Sequence, residues 1–143
     1  FLADDEPSRK GHKVALVVQD RATHWLQGYS SESKSADDTI DGFKNFMPTG
    51  KEPEVVYTDN SEEFKKACKT KRWCHDTSIP YRPEANGIIE RANRRLKEGV
   101  SCILQQSGLS NEWWPEARKC YCFLHNLLDV QNNWQNTMAT TVG

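Results

Sequence analysis

Val14-Ala15-Leu16-Val17-Val18 is a nearly unbroken apolar run, rich in β-branched valine. A run this short with no polar face reads as a buried central strand. The stretch before it, Asp5 to Gly11, carries Pro7, Ser8 and Gly11, a turn composition. Phe1-Leu2-Ala3 is therefore the tail of a first strand that enters a hairpin with the second. Residues 24–29, His24-Trp25-Leu26-Gln27-Gly28-Tyr29, alternate well enough for a third, edge-like strand.

Downstream the period changes. Ala36, Ile40, Phe43 and Met47 recur at helical spacing over 34–47, with Asp37, Asp38 and Asp41 on the other side. Pro48-Thr49-Gly50 ends that helix. Glu54 to Thr58 is a short strand, 61–71 a short helix, and Arg72 to His75 a brief strand. Ser78 to Asn86 holds Pro80 and Pro83 and reads as a loop. The longest helix spans 87–106, where Ile89, Ala92, Leu96, Val100 and Ile103 form one apolar stripe and Gly108 closes it. A last helix covers 111–128, with Trp113, Trp114, Ala117, Tyr121, Leu124 and Leu128 as its apolar material. Asp129 to Gly143 is rich in Asn, Gln and Thr and reads as an irregular tail. Three strands followed by alternating helix and strand make an α/β sheet of mixed direction.

The 143 residues suit about one domain. Apolar content of 36% lies below the usual ~45–50%, which points to a modest core. There is no run of about 18 apolar residues, so no membrane-spanning helix is expected and no membrane partner. The N-terminus is acidic and is no signal peptide; with no initiator Met, the chain reads as a piece of something longer. Net charge is −1, yet bases gather at Lys65, Lys66, Lys69, Lys71 and Arg72, and again at Arg91, Arg94, Arg95 and Lys97. Five cysteines in no C-x-x-C spacing argue against a structural zinc site and read as buried free thiols.

Two stretches carry chemistry. In Tyr57-Thr58-Asp59-Asn60 a carboxylate stands where a strand gives way to a helix, either as a helix cap or as a group pointing into a site. In the long helix Glu90, Arg94 and Lys97 lie on one face, opposite the apolar stripe. Taken alone, Glu90 and Arg94 are an ordinary i, i+4 pair worth a few tenths of a kcal/mol. The preceding loop ends in Asn86-Gly87, a pair that lets the backbone turn sharply and approach another molecule closely.

Together, "YTDNSEEF" and "SIPYRPEANGIIERANRRLKE" resemble the catalytic core of retroviral and LTR-retrotransposon integrases, copia-like elements included. There the second acid sits in T-D-N-G-x-E-F and the third in P-Y-x-P-x-x-N-G-x-x-E-R. "VVQDRATHW" is similar to the family's corner between strands two and three, and "EWWPEARKCYCFLHN" to its downstream W-x-x-A…Y-x-x-N segment. The motifs run in the family's order over about residues 10–128.

The resemblance implies a ribonuclease-H-like fold, a mixed five-stranded sheet with flanking helices, in a core of residues 1–128 followed by the tail 129–143. It implies Asp59 and Glu90 as catalytic carboxylates and metal ligands for two Mg²⁺ (or Mn²⁺) ions. Asn86, Gly87, Arg91, Arg94 and Lys97 would contact DNA, with Arg95 to the side. The activity implied is DNA 3′-end processing and strand transfer, on element ends and target DNA, by a homo-oligomer acting on nuclear DNA. Trp113 and Trp114 are core or oligomer-interface residues in this reading.

Three positions depart from the pattern. Ser61 stands where the family usually has Gly, and the 30 residues between Asp59 and Glu90 are fewer than usual. The first acid belongs on strand one, at or just before Phe1, so the chain is expected to begin just after it; Asp5 or Asp4 is the fallback. Asp20 matches the corner, not the catalytic position. An inactive relic of the same fold, serving as a nucleic-acid-binding or interaction module, is the alternative. Another ribonuclease-H-like nuclease is a third reading, which the integrase-type segment speaks against.

Overall fold

The computed structural model describes residues 2–3, 7–59, 61–77 and 83–141, with side chains described over 7–59, 61–76 and 87–128. Strands β1 (Leu2–Ala3), β2 (Val14–Gln19) and β3 (Leu26–Ser31) form an antiparallel ladder in that order. Helix α1 (Ala36–Phe46) follows, then β4 (Val56–Thr58), α2 (Glu62–Lys71) and β5 (His75–Thr77). Two long helices complete the chain, α3 (Pro83–Ser107) and α4 (Trp114–Thr141), joined through a 3₁₀ turn at Asn111–Trp113.

The apolar run of β2 is explained by layers on both of its faces. Leu16 and Val18 point to a core with Phe43 of α1, Val56 of β4 and Phe64 and Cys68 of α2. Ala15 points the other way, to Leu104 of α3 and Trp114 and Ala117 of α4. Leu26 of β3 joins that side with Ala92, Leu96 and Cys122. The stripe read along α3 is thus the face that packs on α4 and the sheet, with Leu96 only 1% exposed.

Asp20 fixes the β2–β3 corner. Its Oδ2 accepts from the Thr23 backbone N–H at 3.1 Å and from the Thr23 hydroxyl at 2.5 Å, while the Asp20 N–H donates to Trp25 O at 2.9 Å. His24 then takes a left-handed conformation, φ 61°. At the start of α1, Ser35 accepts from the Asp38 N–H at 3.0 Å, an N-cap that satisfies one of the helix's free donors.

Several expectations are corrected. Five strands are present among the described residues, but they form a three-stranded ladder and a separate parallel pair, β4–β5, rather than one five-stranded sheet. Among the described residues, what joins the two ladders is the shared side-chain core. The expected strand at 72–75 starts three residues later, because Arg72 closes α2 in a left-handed conformation with φ 58°.

Helix α3 begins at Pro83, not after the Asn-Gly pair, so Asn86 and Gly87 lie inside its first turns and not in a loop. Proline is tolerated there, since a first-turn N–H has no intrahelical partner. Helix α4 continues to Thr141, past the point where an irregular tail was expected; after Pro115 no proline or glycine interrupts it. Of the five thiols, Cys68 and Cys122 are buried, whereas Cys74, Cys102 and Cys120 are exposed. Trp114 is buried and Trp113 half-buried against the same core, which fits the core reading.

Candidate active site

Asp59 follows the last residue of β4 and is exposed. Its Oδ1 accepts from the Ser61 N–H at 3.2 Å, just ahead of α2. Ser61 itself makes no side-chain cap bond to that helix. One lone pair of the carboxylate therefore steadies the turn, and the rest faces outward.

The backbone beneath Asp59 is held by a short relay. The Thr58 hydroxyl donates to the Asp59 carbonyl at 2.7 Å and also lies 2.7 Å from His75 Nε2. A hydroxyl has one proton, so with that proton directed at the Asp59 carbonyl the contact calls for an N–H at His75 Nε2. Sequence reasoning gave His75 no role. Its signal is long-range, since parallel pairing sets Val56 opposite His75 and Thr58 opposite Thr77.

Glu90 is exposed on α3, and so are Arg91, Arg94, Arg95 and Lys97. Among the described residues, the ion pairs are Lys44–Asp41 and Lys65–Glu62, so Glu90 and Arg94 do not form the pair that their spacing allows. Arg91 turns back along the helix, its Nε donating to Gly87 O at 3.0 Å. Among the described residues, Arg94 and Lys97 thus have no ion-pair partner, one and two turns beyond Glu90.

Among the described residues, no group of three or more His, Cys, Asp or Glu side chains converges. Asp4, Asp5 and the side chain of Asn86 lie outside the described residues. Asp59 and Glu90 present oxygen donors on exposed side chains, the ligand type that Mg²⁺ and Mn²⁺ select.

The fold is that of a retroviral integrase catalytic core. The chain superposes with a TM-score of 0.59 on the HTLV-2 integrase catalytic core domain solved in complex with magnesium, in a trimeric form, covering 78% of this chain and 72% of that one at 20% identity. The catalytic core of BIV integrase gives 0.58 over 85% of this chain and 78% of that one, at 19% identity. In a simian T-cell lymphotropic virus intasome the TM-score is 0.64, over 80% of this chain and 42% of that one, at 23% identity.

In sequence the chain is related to retrotransposon and retroviral Pol polyproteins, and it is an integrase-core-like domain of that kind. It is 30% identical over 129 residues to the retrovirus-related Pol polyprotein from transposon TNT 1-94 of Nicotiana tabacum, covering 83% of this chain. It is 26% identical over 145 aligned positions to the polyprotein from transposon RE1 of Arabidopsis thaliana, covering 94%. The chain spans about a tenth of the length of both relatives. No family model matches.

Proposed function

We propose that this chain is the catalytic core, residues 1–128, of an integrase that processes the 3′ ends of retroelement DNA and joins them to target DNA in the nucleus. The observation that carries the reading is that Asp59 at the end of β4 and Glu90 on α3 are both exposed, each within a sequence element that resembles one holding an acid in integrases.

Asp59 and Glu90 would hold divalent metal, Mg²⁺ or Mn²⁺, as two ions. A pair of such ions stabilises the attacking and leaving oxygens of a phosphodiester displacement. The chain's own residues do the positioning. His75 and Thr58 hold the Asp59 main chain, and Arg94 and Lys97 extend the charge of the Glu90 face toward DNA phosphates. Arg91 and the Asn86-Gly87 segment lie at the N-terminal end of the same helix, within reach of the same DNA. The magnesium in the HTLV-2 core and the assembled forms of the structural relatives support metal dependence and a homo-oligomer.

A strand-transfer assay on a labelled element-end duplex, with Mg²⁺ or Mn²⁺, tests the reading. Joined products that disappear in Asp59→Asn and Glu90→Gln support it. DNA binding without metal-dependent joining would favour a non-enzymatic relic, and cleavage of an RNA–DNA hybrid without joining a different nuclease.

A further inference from the structure

A second site is built away from Asp59 and Glu90. Arg118 of α4 is 2% exposed, and neither its Nε nor its Nη1 has a hydrogen-bond acceptor among the described residues. The guanidinium reaches its position because residue 28 has no side chain: a Cβ on Gly28 would lie 2.8 Å from Arg118 Nη1. Arg118 lines a cleft of about 280 Å³ between α1, α4 and β3, the outer strand of its ladder. Two further buried polar atoms without partners, Ser30 Oγ and His12 Nδ1, belong to residues lining the same cleft.

Unpartnered polar atoms on residues lining one cavity call for a ligand, because each is costly when buried without a partner. The Arg118 guanidinium can only donate and the Ser30 hydroxyl can donate as well, so the ligand is an acceptor, and a guanidinium favours an oxyanion. The charge around the cleft decides which kind. Lys10, Lys119 and Arg118 are balanced by Asp38, Asp41 and Glu116. A dianion would meet those three carboxylates with little net attraction, whereas a single negative charge fits beside the guanidinium.

We propose that this cleft is a carboxylate-binding site, in which the Arg118 guanidinium and the Ser30 hydroxyl hold one carboxylate group. The carboxylate comes from an acidic protein side chain or from a small free acid; the chemistry recognised is the same. This assignment is independent of the metal-site reading, since none of its residues belongs to that site.

The test is an NMR titration of the ¹⁵N-labelled chain, read at the Arg118 Nε–H resonance. Sodium acetate and N-acetyl-aspartate amide are compared with sodium chloride and inorganic phosphate at matched ionic strength. A saturable shift with a carboxylate and not with chloride is expected. If N-acetyl-aspartate amide binds at least as tightly as acetate, the source is a protein side chain; a response to acetate alone assigns a free acid. Ser30→Ala should weaken binding about fivefold, the value of one hydrogen bond, and Arg118→Met should abolish the stabilisation by acetate seen in thermal melts. No saturable shift with either carboxylate, tighter binding of phosphate, or an unchanged affinity in Ser30→Ala overturns the proposal.

Discussion

The side chain of Asn126 pairs with the main chain of Leu26 as a neighbouring strand would. Its Oδ1 accepts from the Leu26 N–H and its Nδ2 donates to the Leu26 carbonyl, both at 2.8 Å and both buried. One amide on α4 thus satisfies two polar groups on the outer edge of β3 and locks the last helix onto the sheet.

Asn126→Leu should therefore be among the most damaging single changes in the chain. It leaves a buried N–H and C=O without partners, each at about 1–3 kcal/mol. The expected loss is roughly 2–4 kcal/mol, measured as a lower urea midpoint with an unchanged slope.

Gly99 lets α3 and α4 approach closely, because a Cβ there would run into the ring of Tyr121. Alanine gains about 1 kcal/mol in helix propensity, yet overpacking costs about 1–3 kcal/mol. Gly99→Ala should be net destabilising by about 1 kcal/mol, and less so when combined with Tyr121→Ala. Thermal unfolding of the two singles and the double measures this coupling.

Burial lowers the pKa of Arg118, with Cys122, Glu116 and Tyr29 acting against that shift. A buried cation with an incomplete set of partners carries an uncompensated desolvation cost that a hydrophobic residue of similar volume removes. Arg118→Met should accordingly leave stability unchanged or raise it in carboxylate-free buffer. A calorimetric melt decides.

The Thr23 hydrogen bond holds the Asp20 carboxyl below its ordinary value of 3.8, against a smaller opposing effect of burial. A group depressed in the folded state contributes stability above its unfolded pKa and loses it as the pH falls through the folded one. Thr23→Val should cost about half a kcal/mol near neutral pH, since the corner is largely wet. The difference should fade as the pH drops below 3.8, which urea titrations across that range would show.

Local pattern was legible in the sequence and long-range pairing was not. The β2 run and the Ala92–Leu96 stripe follow from spacing, the Asp20 corner from motif resemblance, and each stands where it was expected. Pro83 was misread because proline at a helix start and proline in a loop look alike without the structure. The Asn126–Leu26 pairing joins residues 100 apart, and no local signal marks it. Burial of Arg118 depends on a glycine in another element, and the His75 contact on a parallel pairing, so both were invisible along the chain. Asp59 and Glu90 were singled out from motif resemblance, but the absence of a Glu90–Arg94 ion pair among the described residues needed coordinates.

The most direct measurement is Mn²⁺ paramagnetic broadening of the ¹⁵N-labelled chain. The resonances of Asp59 and Glu90 should broaden first and together, at metal levels that leave Arg118 unaffected, and Asp59→Asn should remove the broadening at both. Broadening centred on other carboxylates, or at Asp59 with none at Glu90, would contradict the shared metal site on which the integrase reading depends.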